Sequence, residues 1–348
     1  MVRGVRRSNS FMTFKKILLA ILVLLVPINA FAAGECGLSC CIAGASSSGV
    51  TLASRFGISL QYEYSYMKPL KEGSTEVAPG YVLDKKFAEG ATEYKVPLEM
   101  IMQKYSLIGS YPVTSNFMLI GIVPYVINDM TMRHRIGSSA MDMKMDTVSG
   151  IGDASLVAFY TFYQDEPVRP TLRFSGGVGI KTPTGSSSMK DKNGQLYHAM
   201  MQPGSGSWDP LFMVNGMAFL DPIWLQANIF YHLTTKGDSG YEFGDQLSAD
   251  VISRYQLFNY INIGLEVNGV YAGKDKDHNG RFTKSNALLD DTGNTGLSAV
   301  YVTPAIQVKI PNTGGSLEIK YQQPVYQNAN GIQQVIDWRL FASITWNF

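Results

Sequence analysis

The chain has 348 residues, of which 45% are hydrophobic and only 16% charged, and its mean hydropathy is zero. Soluble domains carry about 25% charged residues and helical membrane proteins need several apolar runs of roughly 20 residues. A single apolar run is present, so neither class fits. With 34 Gly, 19 Tyr, 17 Phe and 4 Trp, and no long helix-forming stretch, composition points to an all-β chain with two chemically different faces.

In chain order, Arg3, Arg6, Arg7, Lys15 and Lys16 precede an apolar core from Ile17 to Val26, then Pro27 and the triplet Ala30-Phe31-Ala32. This is the pattern of a signal peptide over residues 1–32, cleaved on export. Its removal takes away five basic and no acidic residues, so the net charge falls from +1 to −4. A mildly acidic mature chain gives no reason to expect a nucleic-acid partner. Residues 33–55 hold Cys36, Cys40 and Cys41. In an oxidising compartment Cys36 can pair with Cys40 or Cys41; the alternatives are incidental thiols on a periplasmic tether or plug, and a soft-metal or redox site.

From Phe56 to Tyr66 apolar and polar residues alternate strictly, a period of two and hence a strand. The same pattern predicts strands over 100–111, 117–127, 151–163, 171–181, 208–219, 223–234, 245–257, 260–272, 299–310, 316–323 and 336–348, twelve in all. Short links near Pro112, Gln164, Leu220, Phe258 and Pro311 alternate with long polar ones. That alternation predicts a transmembrane antiparallel up-and-down β-barrel of the bacterial outer-membrane type over residues 56–348, with short periplasmic turns and long outer links. A closed barrel is the strand architecture that leaves no unpaired backbone edge in hydrocarbon. Phe56, Tyr111, Phe117, Phe162, Trp224, Tyr260, Trp338 and Trp346 are the expected lipid-facing girdle residues. The alternating end Trp338, Leu340, Ala342, Ile344, Trp346, Phe348 resembles the signal by which outer-membrane barrels reach their assembly machinery, which makes Phe348 its contact.

Four further segments, Pro124-Tyr125-Val126, Gly150-Ile151-Gly152-Asp153-Ala154, Gly179 to Gly185 (Gly-Ile-Lys-Thr-Pro-Thr-Gly) and Pro203 to Asp209 (Pro-Gly-Ser-Gly-Ser-Trp-Asp), are jointly similar to the outer-membrane transporter family named after the MetA pathway of phenol degradation. The resemblance runs over roughly residues 56–348 and implies an outer-membrane barrel with an uptake role, often for hydrophobic compounds. The cysteine cluster and the methionines depart from it.

Three sets of residues could carry chemistry. The predicted outer link from Asn128 to Ser149 holds Met130, Met132, His134, Met141, Met143 and Met145, with His198, Met200 and Met201 in the next one. Thioethers at x-Met-x-Met spacing lie on one side of an extended segment and suit Cu(I); the plainer reading is flexible apolar filler at the barrel mouth. Asp275, Asp277 and Asn279, followed by Gly280, match the start of a calcium loop, but its twelfth position is Asn286 instead of Glu. The charges expected in the lumen are Glu63, Lys104, Asp153, Arg173, Lys181, Asp209, Asp250, Arg254, Glu266, Glu318, Lys320, Asp337 and Arg339, with His232 on an inward face. Both signs occur, so strong ion selectivity is not indicated. The 4 His residues are scattered and no Ser-His-Asp constellation is visible, so no enzyme is expected. The reading is a channel for small, in part hydrophobic, solutes bounded by outer-membrane lipid. The alternatives are a copper-binding or uptake protein and, third, a scaffold for a periplasmic redox partner. No resident cofactor is expected beyond copper or calcium at those sites.

Overall fold

The computed structural model describes residues 56–348, apart from 168–169, 281 and 283–285. The expected signal peptide and the segment with Cys36, Cys40 and Cys41 lie outside the described residues. In chain order the elements are β1 (Gly57–Gly73), β2 (Thr75–Val77), α1 (Pro79–Ala88), β3 (Glu93–Pro112), β4 (Phe117–Ile136), β5 (Ser139–Lys144), β6 (Val148–Ile151), β7 (Ser155–Gln164) and β8 (Leu172–Lys181). They continue as β9 (Asp209–Leu220), β10 (Ile223–His232), β11 (Tyr241–Glu242), β12 (Gln246–Phe258), β13 (Ile261–Ala272), β14 (Lys276–Asp277), β15 (Leu297–Ile310) and β16 (Gly315–Asn347).

Eleven of these runs form one antiparallel ring, β1, β3, β4, β7, β8, β9, β10, β12, β13, β15 and β16, closed by β16 on β1 from Gly57↔Asn347 upward. At its full 33 residues β16 would span roughly 110 Å as one straight strand, far beyond a hydrocarbon core of about 30 Å. It is folded on itself. Residues up to Ala329 pair with β15, residues from Ile332 pair with β1, and Gly331 at the reversal has φ 68°. Across the legs, Gln323 Nε2 donates to the Asp337 carbonyl at 3.1 Å and the Tyr321 and Trp338 rings stack at 6.1 Å. The ring therefore has twelve staves, as the periodicity requires.

Alternation does the work of a membrane wall. In β1 the inward residues are buried while Ile58 and Leu60, like Phe56 just before the strand, remain exposed. Leu107, Val123, Leu156, Val178, Val214, Leu265, Ile306 and Ile319 continue an exposed apolar belt around the ring. Such a belt is too large for a soluble monomer and matches a lipid-facing surface.

Several expectations need correction. The stretch from Asn128 to Ser149 is no loop: β4 runs on to Ile136 and turns back as β5, with Met132 opposite Met143 and His134 opposite Met141. The outer link expected between 323 and 336 is likewise strand, because the alternation carries both legs of β16 to a tight tip. The strand expected over 151–163 breaks at Gly152–Ala154 into β6 and β7. At that height a Cβ on Gly152 would meet Pro124 Cγ at 3.0 Å and the Pro203 carbonyl at 3.1 Å, and Asp153 turns away from the ladder to bond the neighbouring segments. Trp224 lies opposite Arg254 in register and so shares the lumen face with Gln226 and Asn228, not the lipid face. Asp337 sits at a bulge, where Tyr66 pairs with Trp338 but Met67 pairs with Ile336.

Candidate functional site

The site is the lumen, and its polar side is built from charges that the barrel brings together across the chain. On β1, β3 and β16, Glu63 is bound by Lys104 at 2.5 Å and Arg339 at 3.5 Å, and Arg339 also donates to Ser65 and Gln322. On β12, β13 and β16, Arg254 bonds Glu266 at 2.8 Å and Glu318, and Lys320 bonds Glu266 at 3.1 Å. Gln322 donates in turn to Asn268 and Thr303, and Asn268 donates to Asp250 at 2.8 Å. Burial of such charges is tolerable only because each meets an opposite charge and further hydrogen bonds.

A third group forms where the Gly-rich segments converge. Lys181, at the end of β8, bridges Asp153 at 2.9 Å and Asp209 at 2.7 Å and donates to Ser205 and Ser207. Asp153 accepts the backbone N–H of Gly185 and of Ser205, and Asp209 accepts His232 Nε2 at 2.9 Å and the Thr235 N–H. Segments that are weak motifs singly are thus the parts of one ion cluster that ties the long 182–208 link to the barrel wall. Over the three groups five cations, Lys104, Lys181, Arg254, Lys320 and Arg339, face five carboxylates, so the lumen field is close to balanced.

The other side of the lumen is apolar, against the expectation of a uniformly polar interior. Ile108, Ile120, Ile122, Val157, Phe159, Leu211, Met213 and Phe230 are buried against one another inside the barrel. A twelve-stave barrel is narrow enough for inward side chains to touch and exclude water, so inward positions need not be hydrophilic. The strict parity of β4 carried this signal: if Leu119, Gly121 and Val123 face lipid, Ile120 and Ile122 face inward.

Two cavities bear on this site. The upper one, about 320 Å³, is lined by Glu63, Lys104, Arg339, Lys181, Asp209 and His232 and also by Met67, Met102, Met200, Tyr301, Leu288 and Ile336, of which Met67, Met102 and Ile336 lie further outward on the strands of Glu63, Lys104 and Arg339. The lower one, about 660 Å³, opens among the short turns and is lined by Trp224, Arg254, Tyr260, Asn262, Gln307 and Asn347. They share no lining residue. Arg254 lines the lower cavity and Arg339 the upper.

The remaining candidates fall as follows. Arg173 is half-buried low in the barrel and donates to Met217 Sδ at 3.4 Å. Met130 and Met132 are buried, Met145 is half-buried against them, and Met141 and Met143 are exposed. His134 Nε2 meets Glu93 at 2.7 Å, and His198 Nδ1 meets Asp290 at 2.8 Å beside the buried Met201. Asp275, Asp277 and Asn279 do not converge: Asp275 accepts from the Tyr241 hydroxyl at 2.6 Å and the Gly244 N–H, Asp277 from the Phe282 N–H, and Asn279 donates to the Ser239 carbonyl. Burial pushes the Asp275 carboxyl up to about 6 and holds the Tyr241 hydroxyl protonated far above its usual range. Among the described residues no three His, Cys, Asp or Glu side chains come together as a metal site. Phe348 is exposed, with its N–H on the Phe56 carbonyl at 2.9 Å and its ring 5.7 Å from that of Phe56.

The family model described as MetA-pathway of phenol degradation matches residues 106–328. No curated protein matches the sequence. Among solved structures, the COG4313 outer membrane channel from Pseudomonas putida F1 is 11% identical, with a TM-score of 0.54, covering 93% of this chain and 100% of that one. A Pseudomonas aeruginosa FadL homologue is 11% identical with a TM-score of 0.44, covering 86% of this chain and 92% of that one. A TodX deltaS2S3 mutant monoaromatic hydrocarbon channel is 10% identical with a TM-score of 0.42, covering 92% and 96%. At such identities the likeness to the Pseudomonas putida channel concerns the fold.

Proposed function

Since the chain belongs to the MetA-pathway of phenol degradation family, we propose that it is an outer-membrane channel for small, chiefly apolar solutes. The observation that carries this reading is the upper cavity, about 320 Å³, walled by Met, Leu, Ile and Tyr side chains together with paired charges. Ligand pockets begin near about 300 Å³, and an apolar cavity of about 150 Å³ already takes a benzene ring. The space therefore suits a molecule of one or two rings bearing a polar group. In this reading the ion groups of Arg339 and Arg254 form a septum between the two cavities, whose side chains part as a solute passes. Its lipid belt and terminal Phe348 fit an exported chain, delivered by a cleaved signal peptide and inserted into the outer membrane by the barrel-assembly machinery. Each described histidine is held by a carboxylate with no serine nucleophile on it, and the reading includes no catalytic step.

The test compares the intact protein with an Arg254→Ala, Arg339→Ala variant in proteoliposomes, measuring influx of a neutral aromatic alcohol and of a sugar of similar size. Faster influx of the aromatic through the parent, and loss of that preference when the septum is opened, are expected. Equal influx of both solutes through the parent, or none above empty vesicles, would sink the proposal.

A further inference from the structure

The methionines occupy one surface. Of the 16 in the chain, Met67, Met100, Met102, Met130, Met132, Met145, Met189, Met200 and Met201 belong to a single packed cluster in the outer half of the lumen. Strand register orders them. Met67 lies opposite Met100, Met100 opposite Met130, and the Met145 N–H bonds the Met130 carbonyl at 2.9 Å, so four thioethers form one row across adjacent strands. Directly opposite residues on one face have Cβ atoms about 5 Å apart, and the three rotatable bonds of Met bring sulfurs closer still. One step outward Met132 faces Met143, and a further step outward His134 faces Met141. Exposure falls along this ladder from 62% at Met141 and 39% at Met143 to 1% at Met130 and 0% at Met100. A continuous set of thioethers thus leads from the outer rim to the buried row.

We propose that this ladder is a binding path for a monovalent soft metal cation, Cu(I) or Ag(I), received at His134 and Met141 and passed by way of Met143 and Met132 to the row of Met145, Met130 and Met100. Neutral thioethers favour soft d¹⁰ ions and reject hard ones, and several in line provide equivalent sites between which an ion can exchange. Glu93 engages His134 Nε2, which sets the tautomer and leaves Nδ1 as the nitrogen for the metal. Apolar packing alone explains the buried members. It does not explain why the same face carries Met141 and Met143 out into solvent, where leucine-like filler has nothing to fill.

The experiment uses the full mature chain in detergent with Cys36, Cys40 and Cys41 replaced by Ser, so that no thiolate competes. Silver(I) retention is measured after gel filtration, and Cu(I) is read by X-ray absorption under reducing, anaerobic conditions. The parent is expected to retain silver and to show a sulfur-dominated copper shell. A Met141→Leu, Met143→Leu, Met145→Leu variant, altered on the peripheral β5 and at the residue just after it, where barrel closure is untouched, should bind at least about tenfold more weakly. A Met100→Leu, Met130→Leu variant keeps the volume of the buried row and should lose the sulfur signal of the inner site. Retention no greater than that of a methionine-poor barrel, unchanged binding in the β5 variant, or a copper shell without sulfur would each overturn the proposal.

Discussion

Replacing Lys181 by Met tests the ion cluster on which the family segments converge. The substitution keeps the length and the apolar stem of the side chain but removes the one ammonium that lies 2.9 Å from Asp153 and 2.7 Å from Asp209. Both carboxylates are almost fully buried, with side-chain exposures of 8% and 1%, so neither can recover its loss from water. Removing one partner of a buried pair costs about 3–5 kcal/mol, and here two acceptors lose the same donor. Asp153 keeps the N–H groups of Gly185 and Ser205, and Asp209 keeps His232 and Thr235, which places the expected loss near the lower end, about 3 kcal/mol. The assay is urea unfolding of the mature protein in lipid vesicles, followed by tryptophan emission, for Lys181→Met, Asp209→Asn and the double variant. The double variant should be less destabilised than the sum of the two by at least about 1 kcal/mol, because neutralising Asp209 removes half of the stranded charge. A Lys181→Met cost within about 0.5 kcal/mol, or strict additivity, would show that the cluster is solvated and that the cation does not hold the 182–208 link to the wall.

Gly152→Ala should destabilise the barrel by about 1–3 kcal/mol in the same vesicle assay, since its Cβ would crowd Pro124 at 3.0 Å and the Pro203 carbonyl at 3.1 Å and force them to give way. Arg339→Ala should raise single-channel conductance in planar bilayers and shift the reversal potential toward cation preference, because it removes one cation from a balanced lumen; an unchanged reversal potential would count against the pairing described. Burial raises the Asp275 carboxyl from 3.8 to about 6, so the folded outer links take up a proton that the opened state releases. That contribution to stability is therefore fully present below about pH 4 and is lost as the pH rises through about 6; hydrogen-exchange protection of residues 273–280, corrected for intrinsic rates, should fall over this window in the parent and stay level in Asp275→Asn. Deleting Phe348 should lower the amount of barrel inserted in cells several-fold while leaving refolding into detergent intact, and equal insertion of both forms would exclude Phe348 as a contact for the assembly machinery.

The alternation of apolar and polar residues determined the strands and their number, because side chains on a strand point to opposite faces with a period of two, and the alternation of short and long links between them determined the up-and-down barrel and which end carries the long links. The apolar face that each strand repeats, Ile58 and Leu60 on β1, Leu107 on β3 and Val123 on β4, pointed to lipid as its neighbour. What periodicity cannot contain is the distance between strands far apart in sequence. Glu63 meets Arg339 only because β16 closes on β1, and Lys181 meets Asp209 only because β8 and β9 are ring neighbours. Closure likewise decided that the inward apolar residues of β4, β7 and β9 pack against one another, and that methionines expected in an outer link stand in register with Met67 and Met100 across β1, β3, β4 and β5. A face is a local property of each strand, whereas a site is a set of faces brought together, and only the closed ring brings them together.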